Sequence, residues 1–321
     1  MESLGLKEEK SEQEDFYLKE VKPKKFNYRP KTLDEYIGQE NAKALVRLNI
    51  KKVMEIKPVH FILSGNAGCG KTTLANIIGN HLNFPVTYQI GGTFTQEALV
   101  DFLEENEESG IPRILFIDEI HNLEKKLAEF MYPIVEDFIF PIKSLKLRPF
   151  IMVGATTEKS TLIKKFKPLV DRCGCQIVLE DYIVEDMKNI LKQYNKQLFQ
   201  EEITEEIYDL LARNCRFTPR LAIAIFDDYM VCKDIKTVLN AHRIIKDSLT
   251  DIDINILKHL IEVGKPVGEE ALSVIAGVDR SDYKLIIEPF LMRQGYLTRT
   301  ARGRIGTDKA KKIIEKLVKE G

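Results

Sequence analysis

The feature that most narrows what this chain can fold into is the octet Gly65-Asn66-Ala67-Gly68-Cys69-Gly70-Lys71-Thr72. It follows the apolar run Phe61-Ile62-Leu63 and precedes a helical pattern of Leu74, Ala75, Ile77 and Ile78. Gly65 and Gly70 stand at the two glycine positions of G-x-x-x-x-G-K-[ST], and Lys71 and Thr72 close it. Glycines let successive backbone N–H groups turn inward around a phosphate, and the helix N-terminus behind them adds positive potential. In that geometry Lys71 reaches the β- and γ-phosphates while the Thr72 hydroxyl can ligate Mg²⁺. The strand before and the helix after are the context this chemistry requires.

A second half of the site is expected downstream. Arg113-Ile114-Leu115-Phe116-Ile117-Asp118-Glu119 is an almost continuous apolar run ended by two acids. A run apolar on both faces fits an inner strand of a parallel sheet, and open α/β sheets bind ligands at the C-terminal ends of their strands. Asp118 is therefore expected to hold Mg²⁺, and Glu119 to polarise the attacking water. Two like charges buried together would be costly without a metal. A third run, Phe150 to Gly154, leads into Ala155-Thr156-Thr157, placing polar residues beside the γ-phosphate as a sensor of hydrolysis.

The chain also shows where this α/β block stops. Pro168-Leu169-Val170-Asp171-Arg172 ends a helix before a strand at Ile177-Val178-Leu179. Helical patterns then cover Ile183–Gln197, Thr204–Asn214, Pro219–Val231 and Ile235–Ser248. From about Thr250 the pattern changes again, to helices at Ile252–Val263, Gly268–Ala276 and Ser281–Phe290. Two short strands follow, Gly295 to Arg299 and Arg304 to Gly306, with Ala301-Arg302-Gly303 between them. Three helices and a hairpin make a winged helix. The expected division is a charged leader (1–25), a nucleotide-binding α/β domain (26–180), a helical lid (181–249) and a winged helix (250–321).

Composition bears on partners and setting. A formal net charge of −1 over 321 residues means that any nucleic-acid surface is local. The wing supplies one: Arg293, Arg299, Arg302 and Arg304 lie in a stretch with no acid between them, and Arg299, Arg302 and Arg304 are the expected phosphate contacts. No apolar stretch approaches the ~20 residues needed to span a bilayer. Five cysteines at scattered spacings read as reduced thiols of a cytoplasmic protein rather than a disulfide framework.

With these phrases in this order, the chain resembles the AAA+ ATPases, and among them the RuvB family of Holliday-junction branch-migration motors. Arg29-Pro30-Lys31-Thr32-Leu33-Asp34-Glu35-Tyr36-Ile37-Gly38-Gln39 is similar to the family's entry segment, which lies against the adenine. The octet, Ile117-Asp118-Glu119-Ile120-His121 and Gly154-Ala155-Thr156-Thr157 resemble its Walker A, Walker B and sensor 1. Pro168 to Arg172 resembles the arginine-finger segment and Thr218-Pro219-Arg220 sensor 2. Lys265-Pro266-Val267-Gly268, Glu288-Pro289-Phe290 and Gly295 to Arg304 resemble its winged helix. The likeness implies ATP and Mg²⁺ as cofactors and a nucleotide site of Tyr36, Ile37, Gly65, Gly68, Gly70, Lys71, Thr72, Thr73, Asp118, Thr157, Tyr182, Pro219 and Arg220. It also implies a ring, usually hexameric, in which Arg172 acts in trans on the neighbour's γ-phosphate, an effect worth ~10³–10⁵ in rate in other NTPases. Double-stranded or four-way junction DNA is the implied substrate. A clamp-loader or initiator-like switch, binding DNA under ATP control without translocating, is the alternative; a DNA-binding regulator with a vestigial nucleotide site is disfavoured by the intact Lys71, Asp118, Glu119 and Arg172.

Three departures stand out. Asn66-Ala67 replaces a Pro-Pro common in the family, and Val170 stands where a second arginine is frequent. The insertion Phe140 to Arg148 allows only a stubby hairpin, whereas the bacterial motor projects a longer one onto its junction-binding partner RuvA. Alternation of Phe140, Ile142, Leu145 and Leu147 with Lys143, Lys146 and Arg148 is expected to turn the apolar face into the protein's own core. On that reading a RuvA-type partner does not carry over.

Overall fold

The computed structural model describes residues 28–142 and 144–320. The charged leader expected over 1–25, and Lys143 in the short hairpin, lie outside the described residues. The first block runs α1 (Glu40–Glu55), β1 (Phe61–Ser64), α2 (Lys71–Leu82), β2 (Val86–Ile90), α3 (Gln96–Glu108), β3 (Ile114–Asp118) and α4 (Lys125–Asp137). A hairpin of β4 (Ile139–Phe140) and β5 (Leu145–Lys146) follows, then β6 (Ile151–Thr156), α5 (Lys159–Arg172) and β7 (Cys175–Val178). Five of these strands form one sheet in the order β2-β3-β6-β1-β7, and every pairing in it is parallel.

Burial explains the apolar runs. Every residue of β1 and β6 is buried, and so is all of β3 except Asp118. Ile114 and Phe116 face one apolar cluster, with α1 and α2, while Leu115 and Ile117 face the other, with α3, α4 and α5. Strands covered on both faces must be apolar throughout. The edge strand β7 instead alternates, with Cys175 and Ile177 inward and Gln176 and Val178 outward. Because β6 lies between β1 and β3, the segment after Thr156 emerges between the glycine loop and Asp118-Glu119.

Helices α6 (Val184–Leu198), α7 (Glu205–Arg213), α8 (Pro219–Cys232) and α9 (Ile235–Ala241) form the next layer. Met187, Leu191, Leu211, Ile225 and Phe226 join the same apolar cluster as Leu63 and Tyr182. The helix expected over Ile235–Ser248 stops at Ala241. In its place β8 (Ile244–Lys246) and β9 (Leu249–Thr250) pair antiparallel. Arg243, Asp247 and Ser248 sit at φ 56°, 47° and 64°, a left-handed conformation that a right-handed helix cannot contain. Tertiary hydrogen bonds hold the break open: the Ser248 hydroxyl donates to the Arg213 carbonyl and accepts from the Arg216 N–H, at 2.8 and 2.9 Å.

The last block has its own apolar cluster. It contains α10 (Asp251–Val263), started by a capping box between Thr250 and Asp253, and α11 (Glu269–Ala276). The third helix is continuous through α12 (Arg280–Asp282), a π turn at Tyr283–Ile287 and α13 (Glu288–Arg293). The wing pairs β10 (Leu297–Thr300) with β11 (Gly303–Gly306). A closing helix, α14 (Asp308–Glu320), has no counterpart in the sequence reading. Its Ala310, Ile313, Ile314 and Leu317 pack on the winged-helix core, and that helical spacing was present in the sequence as a signal.

The stubby hairpin is present, but its apolar residues divide. Phe140 and Leu147 pack against the core around α4. Ile142 and Leu145 point outward at 67 % and 55 % exposure. A two-residue pairing on each side gives the tip too little length to fold back onto the domain. The expectation that the hairpin's apolar face is taken up by the protein's own core is therefore corrected for Ile142 and Leu145, while the hairpin is as short as the sequence implied.

Candidate active site

The glycine loop folds as the octet requires. Gly70 has φ 101°, and a Cβ there would lie 2.5 Å from the Tyr36 hydroxyl; Gly68 has φ 74°, where a Cβ would meet Thr218 at 2.8 Å. Both positions therefore need glycine for backbone conformation and for space. The Lys71 ammonium caps its own loop, donating to the carbonyls of Gly65 and Asn66 at 2.8 and 2.9 Å. The hydroxyl of Tyr182 donates to the Cys69 carbonyl at 3.2 Å, and that of Tyr36 approaches the Cys69 and Gly70 carbonyls at 3.4 and 3.3 Å. Burial pushes the Cys69 thiol up against the opposing pull of Lys71, which keeps it protonated and unreactive.

This loop floors a cavity of about 520 Å³ between the α/β block and the lid. Of the expected nucleotide residues, Tyr36, Ile37, Gly68, Gly70, Lys71, Thr72, Thr73, Asp118, Tyr182, Pro219 and Arg220 line it, together with Glu119. Gly65 and Thr157 do not. Gly65 contributes through its carbonyl to Lys71, and Thr157 contacts the Glu119 carboxylate. The Thr157 backbone N–H and hydroxyl both donate to Glu119 Oε2, at 3.0 and 2.9 Å. His121 adds its Nδ1 at 3.1 Å from the same oxygen and 2.9 Å from the Thr156 hydroxyl. Glu119 itself sits at φ 46°, uncommon for a residue with a side chain. Strain of this kind persists where surrounding contacts over-determine it, and such sites cluster at functional positions.

Thr72 and Asp118 both line the cavity. An alcohol and a carboxylate are hard oxygen donors, and Mg²⁺ takes one or two such protein ligands and completes its shell with water and phosphate oxygens. The donor set fits that ion. No group of three or more His, Cys, Asp or Glu that could form a dedicated metal cage exists among the described residues.

Arg172 is elsewhere. It ends α5, a helix kinked at Phe166 and carrying Pro168. Its guanidinium donates to Glu136 and to the Pro168 carbonyl at 2.8 and 2.7 Å and lies 4.9 Å from the Tyr132 ring centroid. It does not line the cavity of its own chain.

Sequence reasoning missed much of the lining: Tyr28 just before the entry segment, Ile190, Gln193 and Tyr194 from α6, and Ile223 and Asp227 from α8. A signal existed for the last two. Pro219, Arg220, Ile223, Ala224 and Asp227 recur at the spacing of one helix face, so assigning Arg220 to the site points the whole face inward.

Two of the three wing arginines are paired with carboxylates. Glu288, wholly buried, accepts from Arg299 at 2.8 and 2.9 Å and from Arg304 at 2.6 and 2.9 Å. Arg304 also donates to Glu269 at 2.6 Å. The stretch lacks acids in sequence, but the third helix and α11 bring two of them underneath it. Burial alone would raise the Glu288 carboxyl; the hydrogen bonds and charges of Arg299 and Arg304 outweigh it and hold it at about 2. Arg302, at the exposed turn, shows no side-chain partner among the described residues. Arg293 donates to Asp181 at 2.5 Å, and Asp181 also accepts from Asn66 of the glycine loop at 2.6 Å. One carboxylate thus joins the nucleotide loop to the winged helix.

Comparison with known proteins agrees with this geometry. Residues 28–179 match the family model described as the Holliday junction DNA helicase RuvB P-loop domain, and residues 246–315 match the RuvB C-terminal winged helix domain. Curated proteins named Holliday junction branch migration complex subunit RuvB, from Thermotoga petrophila and Fusobacterium nucleatum, are each 35 % identical to this chain. They align over 320 and 318 residues, covering 91 % and 90 % of it and 93 % of each relative. The solved Thermotoga maritima RuvB Holliday junction branch migration motor is 34 % identical, with a TM-score of 0.75 over 89 % of this chain and 98 % of that one. A solved Aeropyrum pernix ORC2 protein, 13 % identical with a TM-score of 0.54, shares the fold alone.

Proposed function

This chain belongs to the RuvB family, and from that premise we infer that it is the ATP-hydrolysing motor of a Holliday-junction branch-migration complex, working as a hexameric ring on duplex DNA in recombination and repair. The observation that carries the reading is that Lys71, Thr72, Asp118, Glu119 and Arg220 all line one cavity. Lys71 releases the Gly65 and Asn66 carbonyls to engage phosphate oxygens. Thr72 and Asp118 would hold Mg²⁺, which when bound would supply charge neutralisation for the phosphates. Glu119 polarises the attacking water, and Thr157 and His121 set the orientation of its carboxylate.

Arg172 acts across the subunit boundary. Its place outside its own cavity, on Glu136 and Tyr132, supports this role. Arg220, on the lid helix α8, reports the state of the phosphates to the lid. The Asn66–Asp181–Arg293 contact offers a route from the glycine loop to the winged helix, whose exposed Arg302 approaches the DNA backbone. Division of the chain near residues 180 and 250 and a cytoplasmic setting belong to the same proposal. The separate apolar cluster of the winged helix supports the second boundary. Among the described residues no helix is long and apolar enough to cross a membrane.

The test is ATP-dependent movement of a synthetic four-way junction by the purified full chain, with and without a RuvA-type protein. Junction movement that persists in Lys71→Ala, or ATP hydrolysis without any junction movement under either condition, would count against the motor reading.

A further inference from the structure

The turn that leads into Arg220 is strained and tied to the winged helix. Arg216 and Phe217 stand in succession at φ 49° and 54°, a left-handed conformation that residues with side chains adopt rarely. Such strain persists only where surrounding contacts over-determine it. Here those contacts come from the residues matched as the winged helix domain. The Arg216 N–H donates to the Ser248 hydroxyl at 2.9 Å. Its guanidinium donates to the Asp253 carboxylate and lies 4.5 Å from the Phe290 ring centroid. Asp253 is wholly buried, and only 17 % of the Arg216 side chain is exposed.

The other side of the turn touches the glycine loop. The Thr218 hydroxyl donates to the Arg216 carbonyl at 3.2 Å. The Thr218 methyl group and the Arg220 Cβ crowd Gly68 so closely that a Cβ at Gly68 would meet them at 2.8 and 3.1 Å. Arg216 itself does not line the cavity, whereas Gly68 and Arg220 do. A connected path of contacts therefore runs from Asp253 and Phe290 through Arg216 and Thr218 to the nucleotide loop and Arg220. Close-packed interiors transmit displacement rather than absorb it.

We propose that Arg216 is the positioning residue through which the winged helix sets Arg220, so that duplex DNA and nucleotide are coupled through this one turn. DNA that shifts the winged helix displaces Asp253 and Phe290, and Arg216 passes the shift to Thr218 and Arg220. Nucleotide that draws on Arg220 and the glycine loop acts on the same turn from the other side. Two ligands that bias one element must change each other's affinity by the same factor. The inference rests on the reading of the cavity as the ATP site and of the winged helix as the DNA-binding part.

The experiment measures the affinity of the full chain for duplex DNA by fluorescence anisotropy, in Mg²⁺, with and without a non-hydrolysable ATP analogue. Sedimentation in the same buffers keeps the comparison at matched assembly. In wild type the analogue is expected to change DNA affinity by about 5- to 150-fold, the usual span of coupling between sites. In Arg216→Ala the factor is expected to fall to near one, while DNA alone and the analogue alone bind as in wild type. A variant that keeps the wild-type factor overturns the proposal. So does one that weakens both ligands with the factor preserved, which is what a purely structural residue would do, and so does a wild-type factor of one. Wild type that binds no analogue would instead bring down the ATP-site reading, and wild type that binds no DNA the reading of the winged helix. Should Arg216→Ala fail to fold, Arg216→Gly combined with Asp253→Asn decides by the same factor. Glycine takes the left-handed conformation without strain, and the amide leaves no buried charge unpaired.

Discussion

Arg304→Ala separates a structural arginine from a DNA-binding one. The side chain makes two hydrogen bonds to Glu288 and one to Glu269, at 2.6, 2.9 and 2.6 Å, and is only 14 % exposed. Truncation leaves Glu288 buried with Arg299 as its remaining cation, and breaking a buried pair from one side costs about 3 kcal/mol or more. The depressed carboxyl, held down by Arg299 and Arg304 together, points to the same order of magnitude. A shift from 4.5 to about 2 corresponds to about 3 kcal/mol of native-state preference for the charged form. Because the folded value is the lower one, this stability is fully present above pH 4.5 and is lost as pH falls toward 2. In a cooperative unit of winged-helix size, about 3 kcal/mol moves the thermal midpoint down by about 15 °C. The assay is thermal unfolding of the full chain by near-UV circular dichroism at neutral pH, paired with DNA binding over a salt series. Arg302→Ala is the contrast: an unchanged midpoint, with the salt slope of DNA binding reduced by about one. If Arg304→Ala kept the wild-type midpoint and lost only salt slope, the buried-cluster reasoning would be wrong and Arg304 would be a phosphate ligand.

Three further outcomes follow from the site and its core. Glu119→Gln should bind ATP with near-normal affinity and fail to turn it over, as filter binding and a steady-state phosphate-release assay would show; substantial hydrolysis would remove Glu119 from its role. Arg172→Ala should also bind without hydrolysing, and verified mixed rings with Lys71→Ala subunits should regain activity where an intact site meets an intact finger. No rescue in such rings would argue for action in cis. His60 is buried between the Val135 carbonyl and the Met152 N–H, at 2.8 Å from each, and burial, against the opposing Val135 hydrogen bond, holds its imidazole at about 4 rather than 6.5. It stays neutral when folded while the unfolded chain takes up a proton, so urea-unfolding stability should fall by about 3 kcal/mol between pH 6.5 and 4; a flat profile in that window would refute it.

The sequence by itself determined what depends on neighbours along the chain. The glycine loop, its flanking strand and helix, and the acids ending β3 are local: backbone angles, doubly buried strands and capping chemistry read directly as residue types. The phosphate half of the site was legible for that reason, down to Lys71, Thr72, Asp118 and Glu119. Tertiary structure decided the rest. Sheet order put Thr157 against Glu119 instead of the cavity, since β6 emerges between β1 and β3. Left-handed residues at Arg243, Asp247 and Ser248 turned an apparent helix into a ribbon, with Ser248 bonded to distant Arg213 and Arg216. The hairpin's apolar residues split because two paired positions cannot reach the core with both ends. Most plainly, the wing's arginines read as unopposed charge along the chain, yet Glu269 and Glu288 arrive beneath them from other helices. Charge pairing is set by distance in space, and sequence separation carries no information about it until the chain has folded.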